Sequence, residues 1–410
     1  RVLGPELKGQ AALLSMITQL LFMLGGMGLG SAFSYFIAKK KYPARQILSW
    51  ALASAIFLGV SGMAIFYATW PLHASVWLGI SPRLVFYAAL LVIVYIYLSY
   101  LTRIVVGYGR IYSMNMGDLA RSLVNFLAVV FLLLVWNFSL EGLMVSFWLA
   151  PLAQLAVLLY VLRADLRPAP FWRDGLLRAS FGYGIKSYAL LLINFLNYRL
   201  DMLLLKHYLD ATAVGFYSLA VGMVELKWLI PNAAVAPLFS GVAASDAEDR
   251  SSVTLRTVRW SLIILVVLAL GGIIAGRPFI VLLYGVNFIE SFEPFLWLLP
   301  GVCLFPLFKL LIVDLAARGY PGYGTVASAV ALLINVGANI LLIPHMGMAG
   351  AALATSISYS CMSLLSLCFF IRVTGYSLRD VFVITADERL LVRHFVVRTI
   401  ERMKSGKEKQ

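Results

Sequence analysis

The chain has 410 residues, 61% of them hydrophobic and 13% charged, with a mean hydropathy of +0.89 and a formal net charge of +14. That composition excludes a soluble globular domain, and the apolar runs reach the roughly 20 residues that a helix needs to cross a bilayer. The runs are continuous rather than alternating, which excludes a transmembrane barrel. The basic residues sit at helix ends and in the tail, a pattern of membrane topology rather than of nucleic-acid binding.

Eleven spans are predicted, at approximately 11–38, 45–70, 83–106, 119–137, 142–162, 182–206, 213–240, 258–284, 292–317, 324–343 and 348–371. Leu209 and Gly215 follow Leu3 and Gly9 by 206 residues, and Phe239-Ser240 follow Phe33-Ser34 by the same offset. One offset shared by two halves marks a duplicated membrane protein. The second half opens with the span 182–206, whose counterpart would fall upstream of residue 1. The expected fold is therefore an all-α polytopic membrane protein of two six-helix lobes related by an internal repeat, the first helix missing from this chain. The lobes are expected at 1–162 and 182–372, with an Arg- and Pro-rich cytoplasmic linker at 163–181 and a cytoplasmic basic tail at 373–410.

Loop charge sets the orientation. One set of loops, with the tail, carries 24 Lys and Arg, among them Lys39, Lys40, Lys41, Arg103, Arg110, Arg121, Arg163 and Arg167, against 5 on the opposite side. The richer set, and with it the C-terminus, is expected to be cytoplasmic. In the tail, Thr385 and Glu388 have capping-box spacing ahead of Leu390, Leu391, Phe395, Val396, Ile400 and Met403, with arginines around that apolar set. This reads as an amphipathic helix on the anionic inner leaflet, with a docking site for a partner as the alternative.

The candidate functional residues are the ionisable and amide groups inside the spans, where polar groups are costly. In the sixth span Lys186, Asn194, Asn197 and Asp201 fall within a sector of roughly 80°, with Arg199 turned away from it. Such a stripe faces a water-filled cavity, or else forms buried hydrogen bonds between helices. The next span carries Glu225 and Lys227 followed by Pro231 and Pro237, and the ninth carries Pro294, Pro300 and Pro306 before Lys309 and Asp314. Prolines bend helices, and broken helices line transporter cavities. Tyr95, Tyr97, Tyr100 and Tyr108 read as packing or interface residues, with a sugar path as the alternative. The small-residue runs Gly25–Gly30 and Gly347–Ala352 read as close helix packing. Cys303, Cys361 and Cys368 lie in apolar runs and the four histidines are scattered, so neither a metal nor a cofactor is expected. Nothing resembles a P-loop, a nucleotide fold or a nucleophile elbow, and the chain reads as a non-enzyme.

Three stretches carry a family resemblance. Arg1-Val2-Leu3-Gly4-Pro5-Glu6 with Lys8-Gly9, followed by Gly28–Ala32 and Tyr35–Ala38, resembles the first loop and second helix of the polysaccharide (lipid-linked oligosaccharide, O-antigen) flippases. Arg199-Leu200-Asp201 with Leu209 and Val214–Ala220 resembles their seventh and eighth helices, and Leu341–Pro344 with Gly347 and Gly350–Ala352 their eleventh-to-twelfth junction. The ordered match covers roughly residues 1–375. The resemblance implies a twelve-helix exporter of the superfamily that also holds the multidrug antiporters. It would be a monomer in the bacterial inner membrane, passing an undecaprenyl-diphosphate-linked repeat unit outward by alternating access for O-antigen, capsule or exopolysaccharide. Polysaccharide polymerase and assembly proteins would be its partners. On that reading Lys186, Arg199, Lys227 and Lys309 contact diphosphate or acidic sugar, Asn194 and Asn197 join them in binding substrate, and Asp201, Glu225 and Asp314 couple an ion or proton. A cation-coupled multidrug antiporter is the runner-up. A membrane-embedded polymerase or ligase would need a sizeable catalytic outward loop, and the longest outward loop here is about a dozen residues.

Overall fold

The structure, a computed structural model, describes residues 3–77, 79–172, 175–244 and 247–383, without the side chains of 183, 185–187, 189–190, 236 and 239–250. The amphipathic helix expected beyond Thr385 lies outside the described residues. All regular structure described is helical: α1 (Gly4–Gly26), α2 (Leu29–Ala38), α3 (Ala44–Ala68), α4 (Trp70–His73), α5 (Pro82–Gly107), α6 (Ile111–Val129), α7 (Leu140–Leu162), α8 (Leu176–Tyr208), α9 (Ala211–Glu225), α10 (Leu229–Ala244), α11 (Ala247–Tyr284), α12 (Phe292–Ala317), α13 (Gly322–Thr374) and α14 (Leu378–Phe382). Among the described residues, nine helical stretches are long and apolar enough to cross a membrane. One of these, α13, is two helices; α8, of 33 residues, covers the predicted span 182–206, and the predicted span 11–38 is broken at Met27–Gly28 into α1 and α2. Phe57, Ile274 and Leu333 stay exposed on outer faces, as a surface surrounded by hydrocarbon requires. The protein is a multi-span membrane protein.

Local chemistry explains where the helices break. Gly347 has φ 56° and ψ −132°, a conformation closed to residues with a side chain, and it divides α13. The two halves then pack antiparallel: Gly350 approaches the Leu342 carbonyl, Ser358 bonds the Ala331 oxygen and Ser328 the Met362 sulfur. Pro231 has no N–H for the carbonyl of Lys227, and a 3₁₀ turn at Leu226–Trp228 separates α9 from α10. In α12 the ladder opens beside Pro300, where the Ser356 hydroxyl accepts from the Gly301 N–H and donates to the Trp297 carbonyl. A side chain inserted in this way is a recognised cause of bending, yet α12 remains one helix from Phe292 to Ala317.

Helix α6 starts at Ile111, eight residues before the expected span, because Asn115, Gly117 and Asp118 interrupt the hydropathy without interrupting the helix. Arg121, counted among the loop charges from sequence, therefore stands inside α6.

The helices form two groups. In the first, α1, α2 and α3 pack on α5, and α7 joins α5 to α6. In the second, α12 lies against α10, α11 and α13, and α13 against α8. The groups meet where α1 crosses α9 and α2 crosses α8. At the first crossing a Cβ on Gly9 would lie 1.7 Å from the Ala211 oxygen, and one on Gly215 would lie 1.9 Å from the Pro5 oxygen. Ala211 is the counterpart of Pro5 at the 206-residue offset, as Gly215 is of Gly9. The contact is thus reciprocal, as across a two-fold axis. At the second crossing a Cβ on Gly28 would lie 2.3 Å from the Gly184 oxygen.

Gly215→Val should drive the two helix groups apart at this end. A cysteine placed at Ala12 would then react faster with a membrane-impermeant maleimide than the same cysteine in the parent. An unchanged rate would show that the crossing does not hold this end closed.

Candidate functional site

The predicted stripe on α8 is not one open surface. Asn197 is fully buried: its amide donates to the Ser328 carbonyl at 3.0 Å and accepts from the Ser358 hydroxyl at 3.0 Å. Asp201, 1% exposed, accepts from the Tyr217 hydroxyl, from the Thr355 hydroxyl at 3.2 Å and from the Met202 N–H at 2.8 Å. The expectation of a continuous water-filled stripe is corrected here. The second half of α13 and the facing turn of α9 supply hydroxyls at these levels, so the alternative of inter-helix hydrogen bonding prevails. Asn194 is half-buried and its Oδ1 has no partner among the described residues. Lys186 belongs to α8, but its side chain lies outside the described residues.

Arg199 pairs with Glu225 on α9 through two parallel bonds, Nη1–Oε1 at 2.7 Å and Nη2–Oε2 at 3.3 Å. Both side chains keep about a quarter of their surface exposed. The pairing is the planar fork that guanidinium and carboxylate favour. Lys227, half-buried on the turn after α9, holds its ammonium 4.7 Å from the centre of the Phe295 ring. Lys309 is half-buried with no hydrogen-bond or ion-pair partner among the described residues. Asp314 is fully buried: it bonds Arg318 one turn on and accepts from Thr254 of α11 at 2.5 Å, while Arg318 also reaches Ser251 at 2.9 Å. That knot fastens α11 to α12 and offers no open carboxylate. Beside the Arg199 pair, Trp228 stacks on Phe305 with centroids 4.8 Å apart, and Tyr198 and Tyr359 complete an aromatic cluster.

Sequence reasoning missed a second polar site in the first helix group. A cavity of about 470 Å³ opens between α1, α5, α6 and α7, lined by Ser15, Gln19, Tyr95, Asp118, Arg121 and Asn125 among others. A neighbouring cavity of about 460 Å³ shares Tyr95, Asp118 and Arg121 and adds Arg103 and Gln154. Asp118, Arg121, Ser122 and Asn125 have the i, i+3, i+4, i+7 spacing of one helical face. The signal was present, but it was lost when Arg121 was assigned to a loop. Inside, Arg121 donates to the Tyr95 hydroxyl at 3.2 Å and lies 5.2 Å from that ring's centre. Gln154 donates to Asp118 at 2.6 Å. Of the other tyrosines considered, Tyr100 is buried with its hydroxyl on the Gly26 carbonyl, and Tyr108 bonds Asp165.

Residues 1–293 match the family model described as "Polysaccharide biosynthesis protein". The chain belongs to this family. Solved structures show the fold. An inward-facing multidrug resistance MATE family transporter of the MOP superfamily aligns with a TM-score of 0.74 at 14% identity, over 91% of this chain and 91% of that one. The lipid II flippase MurJ in an inward closed conformation gives 0.72 at 14% identity, over 92% and 83%. An outward-facing MATE family transporter gives 0.62 at 15% identity, over 90% and 94%. No curated protein matches the chain. The fold is thus that of MOP-superfamily transporters and flippases.

Arg318→Ala leaves the buried Asp314 carboxylate without its cation, and such a break costs about 3–5 kcal/mol. Arg199→Ala, at a pair a quarter exposed, should cost clearly less. Unfolding of the two variants in a denaturing detergent series measures the difference, and equal losses would contradict the assignment of Asp314 to structure.

Proposed function

We propose that this protein is a flippase for a lipid-linked oligosaccharide of surface-polysaccharide biosynthesis, most simply an undecaprenyl-diphosphate-linked repeat unit crossing the bacterial inner membrane. The observation that carries the reading is its membership of the polysaccharide biosynthesis family together with a transporter fold that holds polar cavities within its spans. A sugar diphosphate cannot cross hydrocarbon unaided, because each desolvated polar or charged group costs several kcal/mol. A polar path between two helix groups removes that cost, while the polyprenyl tail stays in the lipid.

On this reading the close crossing of α1 and α9 shuts one side of the membrane while the other is open, and relative rocking of the groups exchanges the two. Arg199, Lys227 and Lys309 are the proposed contacts for the diphosphate, with Lys186, Asn194 and Asn197 the further substrate-binding candidates on α8. Asp201 and Glu225 are the proposed groups for coupling to an ion gradient. Asp201 would act through the Tyr217 and Thr355 hydroxyls that now satisfy it, and Glu225 through exchange of Arg199 between its carboxylate and the substrate. Asp314 serves the α11–α12 junction instead. The C-terminus is proposed to be cytoplasmic, in keeping with the charge of the loops.

A cation-coupled multidrug antiporter is the second reading, favoured by the MATE-type fold. Complementation separates the two. Expression in a bacterium deprived of its own O-antigen or capsule flippase should restore surface polysaccharide, and Arg199→Ala and Asp201→Ala should each lower it at unchanged protein level. Resistance to cationic dyes without surface glycan would favour the antiporter.

A further inference from the structure

The cavity between α1, α5, α6 and α7 has no role in the diphosphate contacts proposed above, yet its groups are arranged to bind. Gln154 is 3% exposed, and its amide is bonded to Asp118 on one side only; the Oε1 atom is buried with no partner among the described residues. A buried acceptor left in this state is destabilising, and Gln154 lines the neighbouring cavity, which shares Tyr95, Asp118 and Arg121 with the first and where a ligand would relieve it. Arg121 spends one N–H on Tyr95 and retains others. Asp118 has one oxygen engaged by Gln154 and no bond to the second among the described residues. Asn125, Ser15 and Gln19 extend the same wall.

Charge decides among the ligand classes. Asp118 and Arg121 are one turn apart and cancel, Arg103 of the neighbouring cavity is the one further charge among the described residues there, and the wall interleaves donors and acceptors. A phosphate, which only accepts, would be set against Asp118 and Gln154 Oε1. A cationic drug would be set against Arg121. A sugar hydroxyl both donates and accepts, and Tyr95 adds the flat apolar face on which a ring can rest. The volume lies within the roughly 300–1,000 Å³ of small-molecule sites.

We propose that this cavity is the sugar-reading site of the protein: Asp118, Gln154, Arg121 and Tyr95 hold a hydroxyl-rich ring of the glycan, while the diphosphate is held outside it. The proposal rests on the flippase reading and adds to it which half of the molecule recognises which part of the substrate.

The test is binding to the full chain in lipid nanodiscs. The probes are undecaprenyl diphosphate and four derivatives of it bearing glucose, galactose, N-acetylglucosamine or glucuronic acid. At least one sugar-bearing lipid should bind about tenfold more tightly than the sugar-free lipid. Asp118→Asn and Gln154→Leu should each abolish that gain and leave the affinity for the sugar-free lipid unchanged. Asp118→Asn keeps the side-chain shape, and unchanged sugar-free binding certifies that either variant is folded. If no sugar improves binding, or if the variants weaken both kinds of lipid equally, the sugar-reading assignment is overturned. If undecaprenyl diphosphate itself binds no better than phosphatidylglycerol, the flippase reading is what fails.

Discussion

The constraint on which the rest depends is that a polar side chain within a span has no water to fall back on. It must find a partner on a neighbouring helix, line a cavity, or stay unpaired at a cost. Each outcome occurs here. Asp201 and Asn197 are closed into bonds with α9 and α13, and Asp314 is tied to Arg318 and Thr254. Arg121 and Asp118 open onto a cavity instead. Satisfied groups fix which helices lie side by side, and the open ones leave polar surface exposed to a cavity.

Duplication gives the molecule a crossing that is its own mirror partner in sequence. Gly9 and Gly215 occupy corresponding positions, and each lies against the backbone of the other repeat. With no side chain between them, the two helices approach as closely as backbones permit. A contact of this kind is held by packing rather than by charge, so it can part without leaving an ion stranded in hydrocarbon. That property suits a protein whose relatives in fold have been captured both inward-facing and outward-facing.

Much of the fold was legible in the sequence because the signals were long. Apolar runs of span length, the 206-residue offset, and glycine and proline at the α13 and α9–α10 breaks each have a direct physical reading, whereas the break at Met27–Gly28 inside the first predicted span went unread. The site was legible only in part. Asp201, Arg199 and Glu225 stood out as charges in apolar runs, but nothing local told which would meet a partner. The hydroxyls that enclose Asp201 come from residues 16 and 154 positions away. Arg121 was misread because Asn115, Gly117 and Asp118 depress the hydropathy at the start of α6, making a polar helical face look like a loop. The aromatic cluster of Tyr198, Trp228, Phe305 and Tyr359 is drawn from four separate segments, and no spacing announces it.

Direct translocation tests the central claim. The purified protein would be placed in liposomes with an undecaprenyl-diphosphate-linked disaccharide in both leaflets, and sugar exposed outside would be oxidised by impermeant periodate. A flippase brings inner-leaflet sugar to the outside, so oxidation should run past the outer-leaflet fraction towards completion, and it should slow when Arg199 is replaced by alanine. Oxidation that stops at the outer-leaflet fraction, as in protein-free liposomes, would contradict the function proposed for this fold.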